Sequence, residues 1–210
     1  MPKQSPFHGV PHPVTYIVNE KGVIVSRHFE EDYRKRLTTG AILSEAASPG
    51  MKFSNQRLAL TVAASDAVVR GGERVRLFLD VALKPKMHVY APGVQGYIPV
   101  RLTLNDGAPG VIQDPIFPPA RTKHLKAIDE KVPVYEDRFR IQADLTLGQP
   151  KEVERLLGPD RILTVEATFR YQACDDRKCY VPEEIPLKWS FRYEPHDSTR
   201  VPEGLRSKPF

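Results

Sequence analysis

Two cysteines are the residues of this chain whose type and spacing could do chemistry. Cys174 and Cys179 stand five positions apart, with Asp175-Asp176-Arg177-Lys178 between them. Alternating runs flank that loop, TVEATFRY before it and PEEIPLKWSFRY after it. The pattern places the cysteines on facing strands at the mouth of a hairpin, where Cα atoms about 5.5 Å apart accept a disulfide without large strain. So small a ring removes little entropy from the unfolded chain and makes a poor stability staple. An exposed disulfide at a hairpin tip is better placed for exchange with another protein's thiolate. Pro182, just past the tip, has no backbone N–H to donate, which suits an edge left open to a partner. Spacing alone fits a structural bridge equally well. Metal is a third reading: Cys-x4-Cys is neither a zinc knuckle nor a thioredoxin motif, and a zinc site needs two further ligands. Nothing in the spacing recruits His88 or His124 to that role. The loop charges cancel, so the sequence leaves open which thiol has the lowered pKa.

The elements that must position this hairpin read as short strands and turns. Proline accounts for 20 of the 210 residues, about twice the usual ~5%, which disfavours long helices. Arg57–Ala64 alternates, Gly71-Gly72 turns the chain, and Glu73–Leu83 places Val75, Leu77, Leu79 and Val81 on one face. Met87–Tyr90 and Ile98–Leu104 are further short strands, and Val132–Leu147 holds another with Phe139, Ile141, Ala143 and Leu145 on one face. Ile162–Ala173 and Glu184–Tyr193 close the series, with a helical turn or two over Glu152–Leu157. About eight strands separated by turn signals predict an antiparallel β-sandwich, in which Trp189 is a core residue. Towards the N-terminus, Val14–Val18 reads as a buried strand, Asn19-Glu20-Lys21-Gly22 as a tight turn, Val23–Ser26 as a second strand and Ala41–Ala46 as a short helix. Ser48-Pro49-Gly50 opens a linker, and the chain from Pro195 is a polar tail.

Composition excludes several classes. The apolar share of 40% and charged share of 27% fit a globular chain with a real core. No stretch approaches the ~20 apolar residues of a bilayer span. The formal charge of +5 is spread along the chain with no basic stripe, which argues against nucleic acid as a partner. Serine and histidine positions show no pairing that reads as a hydrolase triad. The first residues, MPKQSPFHGVPHPV, carry no basic segment followed by an apolar one. Two settings stay open on that ground: the cytosol, or export as part of a longer protein.

The cysteine segment resembles the N-terminal, periplasmic domain family of the thiol:disulfide interchange protein DsbD. The resemblance rests on Tyr171-Gln172-Ala173-Cys174 and Cys179-Tyr180-Val181-Pro182-Glu183, with Val134-Tyr135-Glu136-Asp137-Arg138 and Met87-His88-Val89-Tyr90 upstream. It covers residues 57–194. It implies an immunoglobulin-like sandwich that takes reducing equivalents from one thioredoxin-fold partner and passes them to another through mixed disulfides, with no cofactor and no metal. By the same resemblance Cys179 makes the intermolecular bond and Cys174 resolves it. Tyr90, Tyr171 and Tyr180 support or shield the pair. A capping loop corresponds to Lys126-Ala127-Ile128-Asp129-Glu130, with Ile128 where the family usually has an aromatic residue. The cysteine loop is one residue shorter than the common family pattern. The implied compartment is periplasmic or otherwise extracytoplasmic.

Residues 9–46 resemble the C-terminal half of a thioredoxin-fold redoxin, through Gly9-Val10-Pro11, Pro13-Val14-Thr15 and the Asn19–Gly22 turn. The first strand and helix of that fold and its cysteine motif are missing, since no cysteine precedes Cys174. The resulting expectation is mainly β. Residues 1–47 form a truncated thioredoxin-like segment, 48–56 a linker, 57–194 the sandwich and 195–210 the tail. The chain would belong to a larger redoxin or membrane-reductase fusion. Its function is thiol–disulfide exchange. The alternative is a non-catalytic binding or adaptor sandwich with a structural hairpin disulfide.

Overall fold

A computed structural model describes residues 14–29, 36–37, 48–125 and 129–196. In chain order the strands are β1 (Val14–Val18), β2 (Ile24–Phe29), β3 (Arg36–Leu37), β4 (Ser48–Ser54), β5 (Leu58–Ala64), β6 (Val68–Val69), β7 (Glu73–Leu83) and β8 (His88–Tyr90). They continue with β9 (Arg101–Leu104), β10 (Gly110–Ile112), β11 (Arg121–Leu125), β12 (Glu130–Glu136) and β13 (Arg138–Leu147). A single helical turn, α1 (Pro150–Glu154), precedes β14 (Ile162–Tyr171), β15 (Ala173–Cys174) and β16 (Glu183–Tyr193). Glu152 closes α1's capping box with Gln149, and Pro150 is tolerated because the first helical N–H needs no partner within the helix.

Two sheets enclose the core. One runs β10-β13-β7-β5-β4, with β3 alongside β7, and the other runs β6-β16-β14-β9. The strict alternation of β14 and β16 explains their role. Leu163, Val165, Ala167, Phe169 and Tyr171 are each 0% exposed, while the residues between them reach solvent. Ile185, Leu187, Trp189, Phe191 and Tyr193 do the same on β16. Burial of one such side chain is worth about 1.5–3 kcal/mol, so a slip of one residue in this ladder would expose the whole set. Trp189 is a core residue and ties the two layers together: its indole N–H donates to the Ala63 carbonyl of β5 at 2.8 Å.

Three local expectations are corrected. Residues 48–54, read as the start of a linker, form β4 and pair with β5. Gly50-Met51 is a bulge opposite Val62 in an edge strand, where the neighbouring Pro49 is tolerated, and a Cβ on Gly50 would sit 2.8 Å from the Val62 carbonyl oxygen. Val14–Val18 pairs with β2 as expected, but Tyr16 and Val18 are more than half exposed. A two-stranded ribbon has no second layer of its own to bury an apolar run. The span Val132–Leu147 is two strands, divided by a bend at Asp137 (φ 57°), so that β12 pairs with β8 and β13 runs on in the same direction to pair with β7. The helix expected over 41–46 lies outside the described residues, as do residues 126–128 and 197–210.

Candidate redox site

A third sheet, β11-β12-β8-β15, carries the cysteines. The β14–β16 ladder ends at Tyr171↔Glu183, and one residue later the chain switches partners, with β15 pairing against β8. The hairpin is therefore anchored in the sandwich while its tip leans on a different sheet. Gln172 steadies the neck, its side-chain amide donating to the Tyr180 carbonyl at 3.0 Å.

Cys174 and Cys179 form a disulfide with an S–S distance of 2.04 Å and Cα atoms 4.0 Å apart. The Cα separation is shorter than the ~5.5 Å expected for facing strands. The register explains it. Hydrogen bonds from Asp175 N–H to the Lys178 carbonyl and from Tyr180 N–H to the Ala173 carbonyl, both 2.9 Å, flank the pair. The cysteines thus occupy a non-hydrogen-bonded position, where antiparallel strands approach most closely. The two sulfur-bearing residues differ sharply: Cys174 is 1% exposed and Cys179 is exposed.

The tip is shaped by Asp175. Its Oδ1 accepts the backbone N–H groups of Arg177 and Lys178, each at 2.8 Å, and its Oδ2 accepts the Tyr180 hydroxyl at 2.8 Å. These bonds hold its carboxyl down to about 2, the two backbone donors contributing most and the Tyr180 hydroxyl next. Tyr180 lies flat beneath two cations, Arg57 at 4.5 Å and Lys178 at 5.0 Å from its ring centre.

Tyr90 stands against the sulfurs. Its hydroxyl is 3.5 Å from Cys179 Sγ and 3.7 Å from Cys174 Sγ. With both sulfurs in the disulfide, only the phenol has a proton to donate. Burial, helped by the nearby Glu130 charge, pushes the Tyr90 phenol upward, so it stays a donor through the neutral range. Tyr97 stacks on it at 4.3 Å between ring centres and donates its own hydroxyl to Glu130. That hydrogen bond pushes the Tyr97 phenol up to about 12. A cleft of about 530 Å³ opens beside the disulfide, with His88, Tyr90, Tyr97 and Lys123 among its walls. Lys123 binds Glu136 at 2.8 Å and Asp176 at 3.3 Å. Burial works against its ammonium charge, but the hydrogen bonds to Glu136 and Asp176 outweigh it and the net shift is upward.

The site residues expected from the sequence fall into three groups. Cys174, Cys179, Tyr90 and Tyr180 come together at the tip. Tyr171 is fully buried below the tip, its hydroxyl donating to Glu183 at 2.8 Å and accepting from Asn55 at 2.9 Å, with Arg57 completing an ion pair to Glu183. It braces the base of the hairpin without reaching the sulfurs. Ile128 lies outside the described residues. Two neighbours join those at the tip. Tyr97, an aromatic that could line the cysteine site but reads more readily as packing, stacks on Tyr90 and lines the cleft. For His88 the signal is the alternation that sets Tyr90 beside the disulfide, which puts His88, two residues earlier, on the same face.

Comparison with known proteins decides the family. The sequence profile described as "Thiol:disulfide interchange protein DsbD, N-terminal" matches residues 56–187. The chain belongs to the DsbD N-terminal domain family. Its mainly β, sandwich-like arrangement is consistent with the immunoglobulin-like domain of that family. Over 67% of its length it aligns with 49% of the N-terminal periplasmic domain of ScsB from Proteus mirabilis, at 13% identity and a TM-score of 0.44. The match therefore spans about half of that chain. It also aligns over 55% of its length with 77% of the reduced DsbD N-terminal domain from Neisseria meningitidis, at 14% identity and a TM-score of 0.36. No curated protein matches it significantly. Among the described residues no helix is long and apolar enough to cross a membrane.

Proposed function

We propose that this domain is a thiol–disulfide relay that passes reducing equivalents between thioredoxin-fold partners, with Cys179 as the sulfur attacked and Cys174 as the resolving cysteine. The observation that carries the reading is the asymmetry of the pair. In exchange, the incoming thiolate must approach along the line of the S–S bond to the sulfur it attacks. Cys179 is exposed at the tip and Cys174 is closed off by β8, so a partner's thiolate has a path to one sulfur only. Attack at Cys179 joins it to the partner and releases Cys174 as a thiolate, with the domain reduced by two electrons once the partner's second thiol displaces Cys179. The reverse sequence oxidises the domain. The apolar side chain of Val181, 79% exposed beside the tip, gives the partner a surface to rest on. An extracytoplasmic compartment fits this work, because such a pair must avoid permanent reduction by cytosolic thiols. Residues 1–47 stand outside the relay, having no sulfur nucleophile.

The test is the reduction potential of the pair, measured by equilibration with a glutathione redox buffer. An exchange-competent pair lies above about −300 mV, and a structural bridge lies below it. A value below that boundary would turn the disulfide into a staple and refute the relay.

A further inference from the structure

His88 is the odd group in the site. It is 1% exposed, yet neither ring nitrogen has a hydrogen-bond partner. A buried imidazole left with both nitrogens unpaired loses its hydration without replacement, so a partner in another state of the molecule is the economical explanation. The register names that partner. His88 is directly opposite Cys174 in the β8–β15 ladder, so the two side chains stand on the same face, and both lie, buried, behind the wall of the cleft beside the disulfide. In the oxidised domain Cys174 has no proton to give His88.

We propose that His88 is the proton-accepting group for Cys174, taking the thiol proton when Cys174 attacks and returning it when Cys174 is released. The inference rests on the relay reading above. During oxidation of the domain, Cys179 is already joined to the partner. Cys174 Sγ–H gives its proton to His88, its sulfur forms the bond to Cys179 Sγ, and the bond from Cys179 to the partner breaks. The partner's thiolate leaves with the electron pair, and the imidazolium loses its proton to water in the cleft. Cys174 and Cys179 are oxidised and the partner's disulfide is reduced. During reduction the steps reverse. The base is needed because Cys174 is buried away from water, where a thiol gives up its proton reluctantly. The groups facing His88 are Tyr90 on its own strand, edge-on at 5.8 Å, Glu136 opposite it on β12, Lys123 on β11, and Asp175 and Asp176 of the tip. Burial first, and then the Lys123 charge, lower its pKa from 6.5, so the ring is neutral and able to accept a proton at neutral pH.

The test uses the full chain, reduced, mixed with one equivalent of dithiobis(nitrobenzoic acid). That aryl disulfide releases one coloured thiolate when Cys179 attacks and a second when Cys174 resolves. In the wild type both phases appear, and the second is nearly independent of pH around neutrality. His88→Phe keeps the ring packing and His88→Gln keeps hydrogen bonding, but neither accepts a proton. Both leave the first phase unchanged and slow the second by at least ~10-fold at neutral pH, with a rate that climbs ~10-fold per pH unit. A second phase in either variant as fast and as flat as wild type would overturn the role of His88. A wild-type first phase no faster than a small thiol peptide would instead sink the relay itself. Should both variants fail to fold, the wild-type ring resonances decide: His88 must shift on reduction and titrate together with Cys174, and identical resonances in the two redox states would refute the proposal.

Discussion

Replacing Tyr90 by Phe removes one oxygen from the site and leaves its packing. The ring stays stacked on Tyr97 and edge-on to His88, so no cavity larger than a hydroxyl is made. In the oxidised domain the lost contacts are to disulfide sulfurs at 3.5 and 3.7 Å, which are weak acceptors, and the effect on stability is under about 1 kcal/mol. The reduced domain is different. A Cys179 thiolate accepts a charge-assisted hydrogen bond from the same hydroxyl, worth about 1.5–3 kcal/mol. At 1.36 kcal/mol per tenfold, its loss makes the thiolate about 10- to 100-fold harder to form. The thiolate fraction at neutral pH then falls ~10- to 100-fold, while each remaining thiolate becomes more nucleophilic with a Brønsted slope near 0.45. The net slowing of attack is roughly 3- to 10-fold. The assay is the pH dependence of iodoacetamide alkylation in a reduced Cys174→Ala background, with and without Tyr90→Phe. An unmoved midpoint, or one moved to lower pH, would refute the view that Tyr90 supports the Cys179 thiolate.

Four further outcomes follow from the same geometry. Asp175→Ala removes the acceptor for the Arg177 and Lys178 amides and speeds their hydrogen exchange, whereas Asp175→Asn, which keeps an acceptor oxygen, does so less; equal exchange in both variants would contradict the proposed turn. Because the Asp175 carboxyl is held at about 2, below its ordinary 3.8, its stabilising charge is fully present above that ordinary value and is lost as pH falls through about 2; slow Arg177 and Lys178 exchange that disappears near pH 4 would be the contrary result. Trp189→Phe strands the Ala63 carbonyl and leaves a small void between the layers, lowering stability by about 2 kcal/mol in chemical denaturation. Deletion of residues 1–46 removes the two-residue β3 from beside β7 but keeps β4 and every other strand of the two sandwich sheets and leaves a sharp thermal transition; a broadened one would move the domain boundary into the deleted segment.

The parts of the fold legible in the sequence are those with long, strict alternation. The β7, β14 and β16 ladders and the core position of Trp189 follow from period-two burial over ten or eleven residues. Of the short elements, β8 and β9 were legible within Met87–Tyr90 and Ile98–Leu104, but others were not. The two-residue strands β6 and β15 and the three-residue β10 are defined by what they pair with, not by any pattern of their own. The edge strand β4 was hidden by Pro49-Gly50, which reads as a breaker but lies at the paired start of a bulge over Gly50-Met51. At the site, Cys174 and Cys179 were evident from type and spacing, and Tyr90 and Tyr180 from the family resemblance. Their unequal exposure was not, because it depends on β15 leaving the β14–β16 hairpin to pair with β8. His88 was within reach of the alternation in its own strand, but its isolation from every hydrogen-bond partner is a property of three strands meeting, β8 with β12 and β15.

The central claim is that Cys179 meets the partner and Cys174 resolves. It is tested most directly by trapping. Cys174→Ala and Cys179→Ala variants are each mixed with a thioredoxin whose active-site thiol is activated as an aryl mixed disulfide, and the covalent complex is followed in time. The account predicts rapid complex formation through Cys179 and slow formation through Cys174, since only the first sulfur is exposed. Equal, slow reaction at both positions, no faster than a small thiol peptide, would contradict it.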